Sequence, residues 1–418
     1  MSLDSKKCPF FAPLKHTILM STLYVYNPTC DMAIENGTYS YMPPKALSVF
    51  ENEITPLMAF LGDEHDYVLG NRQTTAHFKD FWQQLGINLP QFVSLQQLSQ
   101  LKISAVQPWG WSQLVERQIE KLSLQVNTKP HFESLNDYKL FFSRLTSVKL
   151  INELSQMNLH DRVSIPFSPQ VVHTTVQIGE LLKLHNKGIV IKNMWSSSGR
   201  GVLFIRDRKT LDQNCNWITA QLKKQGQLIV EPIYTKVQDA SLQFIIDHNR
   251  NYHFLGINYF DADDRGHFEK EYLHTPDLIK NNLQIDEKWI NELASQIITS
   301  MKTMDIHQHY IGPVGIDVMF FINENKKLKL YPLVEANLRC NMGLINLSIK
   351  KLLSKKTKGH WQISTFKRGE ASIFYEQQVH QYPVQLNENG KITKGFLPLT
   401  PFTNTTRFAA WGIIEPEL

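Results

Sequence analysis

Short apolar runs alternate with amphipathic stretches through the first hundred residues. Ile18 to Tyr26 reads as a buried strand ending at Asn27-Pro28, and Pro43 to Leu61 as a helix opened by prolines. Asp66 to Leu69 is a short strand stopped by Gly70-Asn71, Thr74 to Leu85 a helix closed by Gly86, and Gln91 to Leu95 a further strand. Strands alternating with helices in this way predict a small parallel sheet. Such sheets bind ligands beyond the carboxyl ends of their strands. The loops after Tyr26 (NPTCDMA) and after Leu69 (GNR) are therefore candidate substrate loops, with Asn27, Asp31 and Arg72 as their polar members. Taken alone, each is more readily explained as a turn or cap residue, where Asn and Asp are favoured for backbone reasons.

Beyond this region the period turns helical from Trp111 to Leu124 and from Asn136 to Leu154, and TKPHFES between them breaks it. A domain boundary is expected there. A helix from Thr175 to His185 leads through Asn186-Lys187-Gly188 into the strand Ile189 to Met194, and further strands follow at Gln227 to Glu231, Ala240 to Asp247 and Asn251 to Phe260. Asp261 to Pro276 is long and charged, and is expected to be a loop, either a lid or a plain exposed connection. After a helix at Asp286 to Met304 comes an apolar run from Ile311, a polar hairpin tip at Asn323 to Lys327, and a second run broken at Glu335-Ala336-Asn337-Leu338-Arg339. A helix at Gly343 to Leu353 and strand-like pieces at Gln362 to Phe366 and Phe408 to Ile414 complete the chain.

Composition narrows the class without naming a function. Hydrophobic residues make up 42% of the 418 and charged residues 20%, an ordinary globular balance for about two or three domains. The formal net charge of +5 is spread along the chain, with no basic stripe interleaved with aromatics, which argues against a nucleic-acid partner. Cys8, Cys30, Cys215 and Cys340 lie far apart, giving neither a zinc spacing nor a disulfide framework. No window approaches the ~18 apolar residues of a membrane helix, and Lys15 to Tyr26 lacks a cleavage site, so a cytoplasmic protein with no membrane partner is expected.

Two places carry chemistry. On adjacent antiparallel strands, Asp317 near the start of the first and Glu335 near the end of the second can stand opposite each other, with the Asn337 amide two residues on. Like charges so close repel unless a cation lies between them. Oxygen ligands in this number suit Mg²⁺, which keeps water and phosphate oxygens in its other positions. The second place is the strand lysine Lys192, whose burial calls for an anion. It is followed by SSSGRGV, whose successive backbone N–H groups, hydroxyls and glycines are the materials of a phosphate cradle. The segment is neither a Walker A loop nor a G-x-G-x-x-G turn.

Taken in order, these elements resemble the ATP-grasp superfamily over about residues 136 to 355. The resemblance implies an α/β (α+β) chain: an N-terminal parallel-sheet domain (1–130), one α+β subdomain with Lys192 and the Ser/Gly loop (131–235), a second with the metal site (236–358), and a strand-rich tail (359–418) packed on the core. It implies ATP and Mg²⁺ as cofactors. Lys192 and the loop Ser197, Ser198, Gly199 and Gly201 would contact the phosphates. Glu231 and the backbone to Tyr234 would take the adenine edge, Leu333 and Val190 the ring faces, and Asp239 the ribose. Asp317, Glu335 and Asn337 would hold the metal, with Arg339 at the transferred phosphoryl group. The helix residue touching the α-phosphate is either Arg144 or Lys149. Where some ligases carry an arginine two positions before the metal aspartate, this chain has Gly315. The implied activity is carboxylate–amine ligation through an acyl phosphate, on small-molecule carboxylate and amine substrates. A nucleotide-binding scaffold or a small-molecule kinase on the same fold are its alternatives.

Overall fold

The computed structural model describes residues 21–70, 76–122, 128–196, 201–263, 266–283 and 287–417. Three sheets organise them. The first is fully parallel, in the order β3-β2-β1-β4, from β1 (Thr22–Val25), β2 (Tyr67–Leu69), β3 (Gln91–Val93) and β4 (Ala105–Pro108). The last strand escapes the sequence pattern because SAVQP is short, ends in proline and buries a glutamine, Gln107. Asp66 fixes the N-terminal edge of this sheet, its carboxylate accepting the Thr22 N–H at 2.8 Å. Within the NPTCDMA stretch the chain forms the short helix Cys30–Asn36, which Gly37 ends in the left-handed region.

The second sheet is small and antiparallel, in the order β5-β8-β6-β7: β5 (Gln170–Val172), β6 (Ile189–Lys192), β7 (Val202–Ile205) and β8 (Leu228–Pro232). The stretch Asn136 to Leu154, continuous by period, is two helices, Leu135–Phe141 and Arg144–Ser155. Ser143 makes the break. It takes an extended conformation, and its hydroxyl accepts the Leu145 N–H at 3.2 Å and donates to the Leu140 carbonyl at 2.6 Å. Arg144 thereby starts a new helix.

The third sheet has nine strands, in the order β13-β12-β9-β10-β11-β14-β17-β16-β15. They are β9 (Thr235–Ile246), β10 (Tyr252–Ala262), β11 (Phe268–Tyr272), β12 (Gly312–Ile322), β13 (Leu328–Asn337), β14 (Thr357–Thr365), β15 (Gln385–Leu386), β16 (Ile392–Pro398) and β17 (Phe408–Pro416). The charged segment 261–276 is thus not a long loop. β10 runs on to Ala262 and returns as β11. Its charges pair across the ladder, Lys270 with Asp261 at 3.1 Å and the Tyr272 hydroxyl to the same carboxylate at 2.7 Å, while Glu271 turns inward and is buried. Polar letters hid a strand. Beyond β14 the tail carries the sheet onward: β14 and β17 pair over nine consecutive positions, from Thr357↔Pro416 to Thr365↔Phe408. The helix Met342–Lys350 covers the sheet where β9, β10 and β12 meet, its buried face continuous with the core beneath the parallel sheet. Among the described residues no helix is long and apolar enough to cross a membrane.

Candidate active site

The β12–β13 hairpin sets the geometry. Its register pairs Gly315 with Asn337 and Asp317 with Glu335, so side chains of each pair share one face. Asn337 Nδ2 donates to Asp317 Oδ2 at 3.0 Å. Burial and then the facing Glu335 push the Asp317 carboxyl up to about 7, while Arg339 works against both. The residues present would fit Mg²⁺: two carboxylates and an amide oxygen, leaving positions for water and phosphate. Among the described residues no group of three or more His, Cys, Asp or Glu side chains could hold a metal, so the protein alone supplies only part of a coordination shell. A Cβ at Gly315 would lie 2.0 Å from Asn341 Nδ2, so any larger residue would displace the Asn341 side chain.

Arginines flank the acids. The 7%-exposed Arg144 side chain reaches Glu335 Oε2 at 3.1 Å, the Asn193 carbonyl at 2.7 Å and the Ser196 hydroxyl at 2.6 Å. Lys149, five residues on and so turned by about 140° around the helix, is exposed. The structure therefore brings Arg144 to the site and keeps Lys149 away from it. Arg339 Nε lies 3.3 Å from Asp31 Oδ2. Burial opposes the Arg339 charge, but Asp31, Glu335 and Asp317 more than offset it and hold the guanidinium above its ordinary range.

The small sheet contributes Lys192, buried at the end of β6. Its ammonium meets Glu231 Oε2 on β8 at 2.7 Å and the Val334 carbonyl on β13 at 3.3 Å, tying the small sheet to the large one. The β12–β13 register shifts between Asp317 and Met319, opposite Pro332-Leu333-Val334, where the proline offers no N–H to the ladder. Glu231 is therefore engaged by Lys192, and in the segment that follows the Ile233 N–H donates to the Gly188 carbonyl at 3.0 Å. Tyr234 packs at a tilt against the rings of Phe321 and Tyr331 with its hydroxyl on the Phe167 carbonyl, and Val190 and Leu333 are buried. Asp239 pairs with Lys236 at 2.6 Å, and burial, only partly offset by that lysine, raises its carboxyl. Gly201 has φ +74 and a Cβ there would lie 2.7 Å from Asn193 Nδ2, so only glycine fits. Ser197, Ser198, Gly199 and Arg72 lie outside the described residues.

The carboxyl-end loops of the parallel sheet complete the site. Asn27 straps them together, donating to the Gly110 carbonyl at 2.7 Å and accepting the Gly110 N–H at 3.2 Å, a structural role. Asp31, ion-paired with Arg339, lines a narrow cleft open to solvent with about 20 Å³ of space, roughly one water. Trp111, Phe141, Phe142 and Trp195 also line it. Sequence reasoning missed all four. The signal available was the WGW run after a Pro, unreadable as a site until β4 is recognised as a strand.

Comparison with solved structures decides the fold. N5-carboxyaminoimidazole synthetase from Staphylococcus aureus, complexed with ADP, superposes over 97% of this chain and 95% of its own, with a TM-score of 0.50 and 12% identity. The biotin carboxylase domain of Hydrogenobacter thermophilus 2-oxoglutarate carboxylase, with MgADP, ADP and bicarbonate, gives 96% and 87%, a TM-score of 0.53 and 12% identity. Phosphoribosylamine–glycine ligase from Thermotoga maritima gives 94% and 92%, a TM-score of 0.52 and 13% identity. This chain has the ATP-grasp fold. No family model and no curated protein sequence matches it. At such identities the ATP-grasp likeness lies in the backbone, so the chemistry of this chain has to be argued from its own side chains.

Proposed function

We propose that this ATP-grasp chain is an ATP- and Mg²⁺-dependent ligase that activates a small-molecule carboxylate as an acyl phosphate for attack by an amine, acting in the cytoplasm. The observation that carries the reading is the in-register Asp317–Glu335 pair, flanked by Arg144 and Arg339, at a cleft that the loops of the parallel sheet also reach. Asp317, Glu335 and Asn337 would hold the metal, which when bound neutralises charge on the phosphate oxygens. Lys192 and Arg144 would bind the phosphates, with Gly201 and its preceding loop over them. Glu231, Tyr234 and Leu333 would seat the adenine and Asp239 the ribose. Arg339 would stabilise charge on the transferred phosphoryl group, so that positioning and electrostatics supply the rate. ADP in the Staphylococcus protein and MgADP with bicarbonate in the Hydrogenobacter protein support both halves of this reading.

The test is ADP release from Mg·ATP across a panel of carboxylates, with hydroxylamine as the amine and the hydroxamate identified by mass. An acid-dependent release with matching hydroxamate, lost in Glu335→Gln with only a modest change in stability, is expected. ADP release that no acid stimulates, or that survives Glu335→Gln in full, overturns the ligase; a phosphorylated product without hydroxamate identifies a kinase instead.

A further inference from the structure

Arg144 owes its aim to the segment 193 to 196. Its guanidinium donates to the Asn193 carbonyl and the Ser196 hydroxyl, and its backbone N–H donates to the Met194 carbonyl at 3.0 Å. Whatever holds that segment therefore aims the arginine. The Met194 N–H donates to Gln225 Oε1 at 2.7 Å, and Gln225 Nε2 donates in turn to Glu35 Oε1 at 2.7 Å. Gln225 is the last residue of the helix Cys215–Gln225, which packs on the small sheet through Ile218. Glu35 belongs to the helix Cys30–Asn36, at the carboxyl end of the parallel sheet.

Glu35 lies four residues after Asp31, so the two carboxylates leave the same face of that helix. Asp31 meets Arg339 beyond the hairpin, and Glu35 meets Gln225 beside the small sheet. One short helix thus grips both sides of the cleft. The small sheet has a core of its own around Ile191, Ile218 and Val230, so its placement against the hairpin depends on ties of this kind. A second tie runs alongside: the Glu35 carbonyl accepts Lys139 Nζ at 2.7 Å, and the Lys139 carbonyl accepts the Trp195 indole N–H at 2.8 Å. Lys224 also pairs with Glu35 at 2.8 Å, but its side chain is 61% exposed and that pair contributes little.

We propose that Glu35 is a positioning residue for the nucleotide: through Gln225 and the Met194 N–H it holds the segment that aims Arg144 at the phosphates. This rests on the reading of Arg144 as a phosphate-binding residue. A guanidinium already held in place loses less freedom when phosphates arrive, so cutting the chain at either link weakens binding without removing a binding group. The links act in series. Removing both therefore weakens binding no more than removing one.

Calorimetric titration of the full chain with Mg·ADP tests the assignment. Glu35→Ala and Gln225→Ala are each expected to weaken binding about fivefold, part of the value of a charge-assisted hydrogen bond, and the double variant also about fivefold. Glu35→Gln keeps an acceptor for Gln225 and is expected to stay within about twofold of the wild type, as is Lys224→Ala. Urea denaturation of the same proteins separates this role from a purely structural one. Wild-type affinity in Glu35→Ala, whatever its stability, overturns the assignment, and so does a double variant weakened about 25-fold, as independent sites would be. If Glu35→Ala does not fold, Gln225→Ala decides, and wild-type affinity there is equally fatal. Variants that bind as well as a binding wild type remove Glu35 and leave the phosphate site standing, whereas a wild type that binds no Mg·ADP removes both.

Discussion

Replacing Asp317 by asparagine gives the sharpest test of the metal pair, because it makes a stability prediction with a pH signature. In the metal-free protein the Asp317 carboxyl is pushed up to about 7 from its ordinary value of 3.8, by burial first and the facing Glu335 second. The folded chain therefore holds this proton more tightly than the unfolded chain does. Any stability tied to the group is complete below the unfolded value and is lost as pH rises through the window up to about 7. At pH 5.5 about half of the loss has occurred, and at pH 8.5 all of it, a difference between the two of about 2 kcal/mol. Asparagine carries no charge at either pH. Metal-free Asp317→Asn should thus gain about 2 kcal/mol on the wild type between pH 5.5 and 8.5. The assay is urea denaturation of both proteins in chelator at the two pH values. Added Mg²⁺ should raise the wild-type midpoint at pH 8.5 and leave the variant unmoved. A variant that tracks the wild type equally at both pH values would refute the claim that two carboxylates are being forced together here.

Three further outcomes follow from the geometry. Arg144→Ala should weaken Mg·ADP binding by about tenfold or more, since it removes a buried cation from Glu335 and the Ser196 loop, while the exposed Lys149→Ala changes it by less than about twofold; calorimetry reads both. Lys192→Met leaves Glu231 as a buried carboxylate without its partner and should lower stability by about 3 kcal/mol, an effect that adding Glu231→Gln largely relieves without restoring nucleotide binding. Gly315→Ala drives a methyl group into Asn341 Nδ2 and should cost about 1–3 kcal/mol in thermal or chemical denaturation.

Local pattern decided much of this protein. The apolar runs Val314 to Ile322 and Leu328 to Val334, with Asn323 to Lys327 at the tip, are enough to form a hairpin and to bring Asp317 near Glu335, and the strand lysine Lys192 stood out against its apolar neighbours. The tip register alone would set Asp317 opposite Leu333; the shift at Pro332-Leu333-Val334 is what sets it opposite Glu335. The same local logic misread 261–276, because charges that pair across a ladder look in sequence like those of a solvated loop. It also misread 136–154, because a serine that restarts a helix does not interrupt the apolar period. What only the tertiary structure decided are contacts between distant segments. The choice of Arg144 over Lys149 depends on which face of one helix meets β13, nearly two hundred residues away. The ion pair of Asp31 with Arg339, and the rings of Trp111, Phe141 and Phe142 beside it, arise where the loops of the parallel sheet close on the hairpin. Covalent sequence fixes propensities over a few residues, whereas a cleft between sheets is set by how their buried faces pack, and no local period records that.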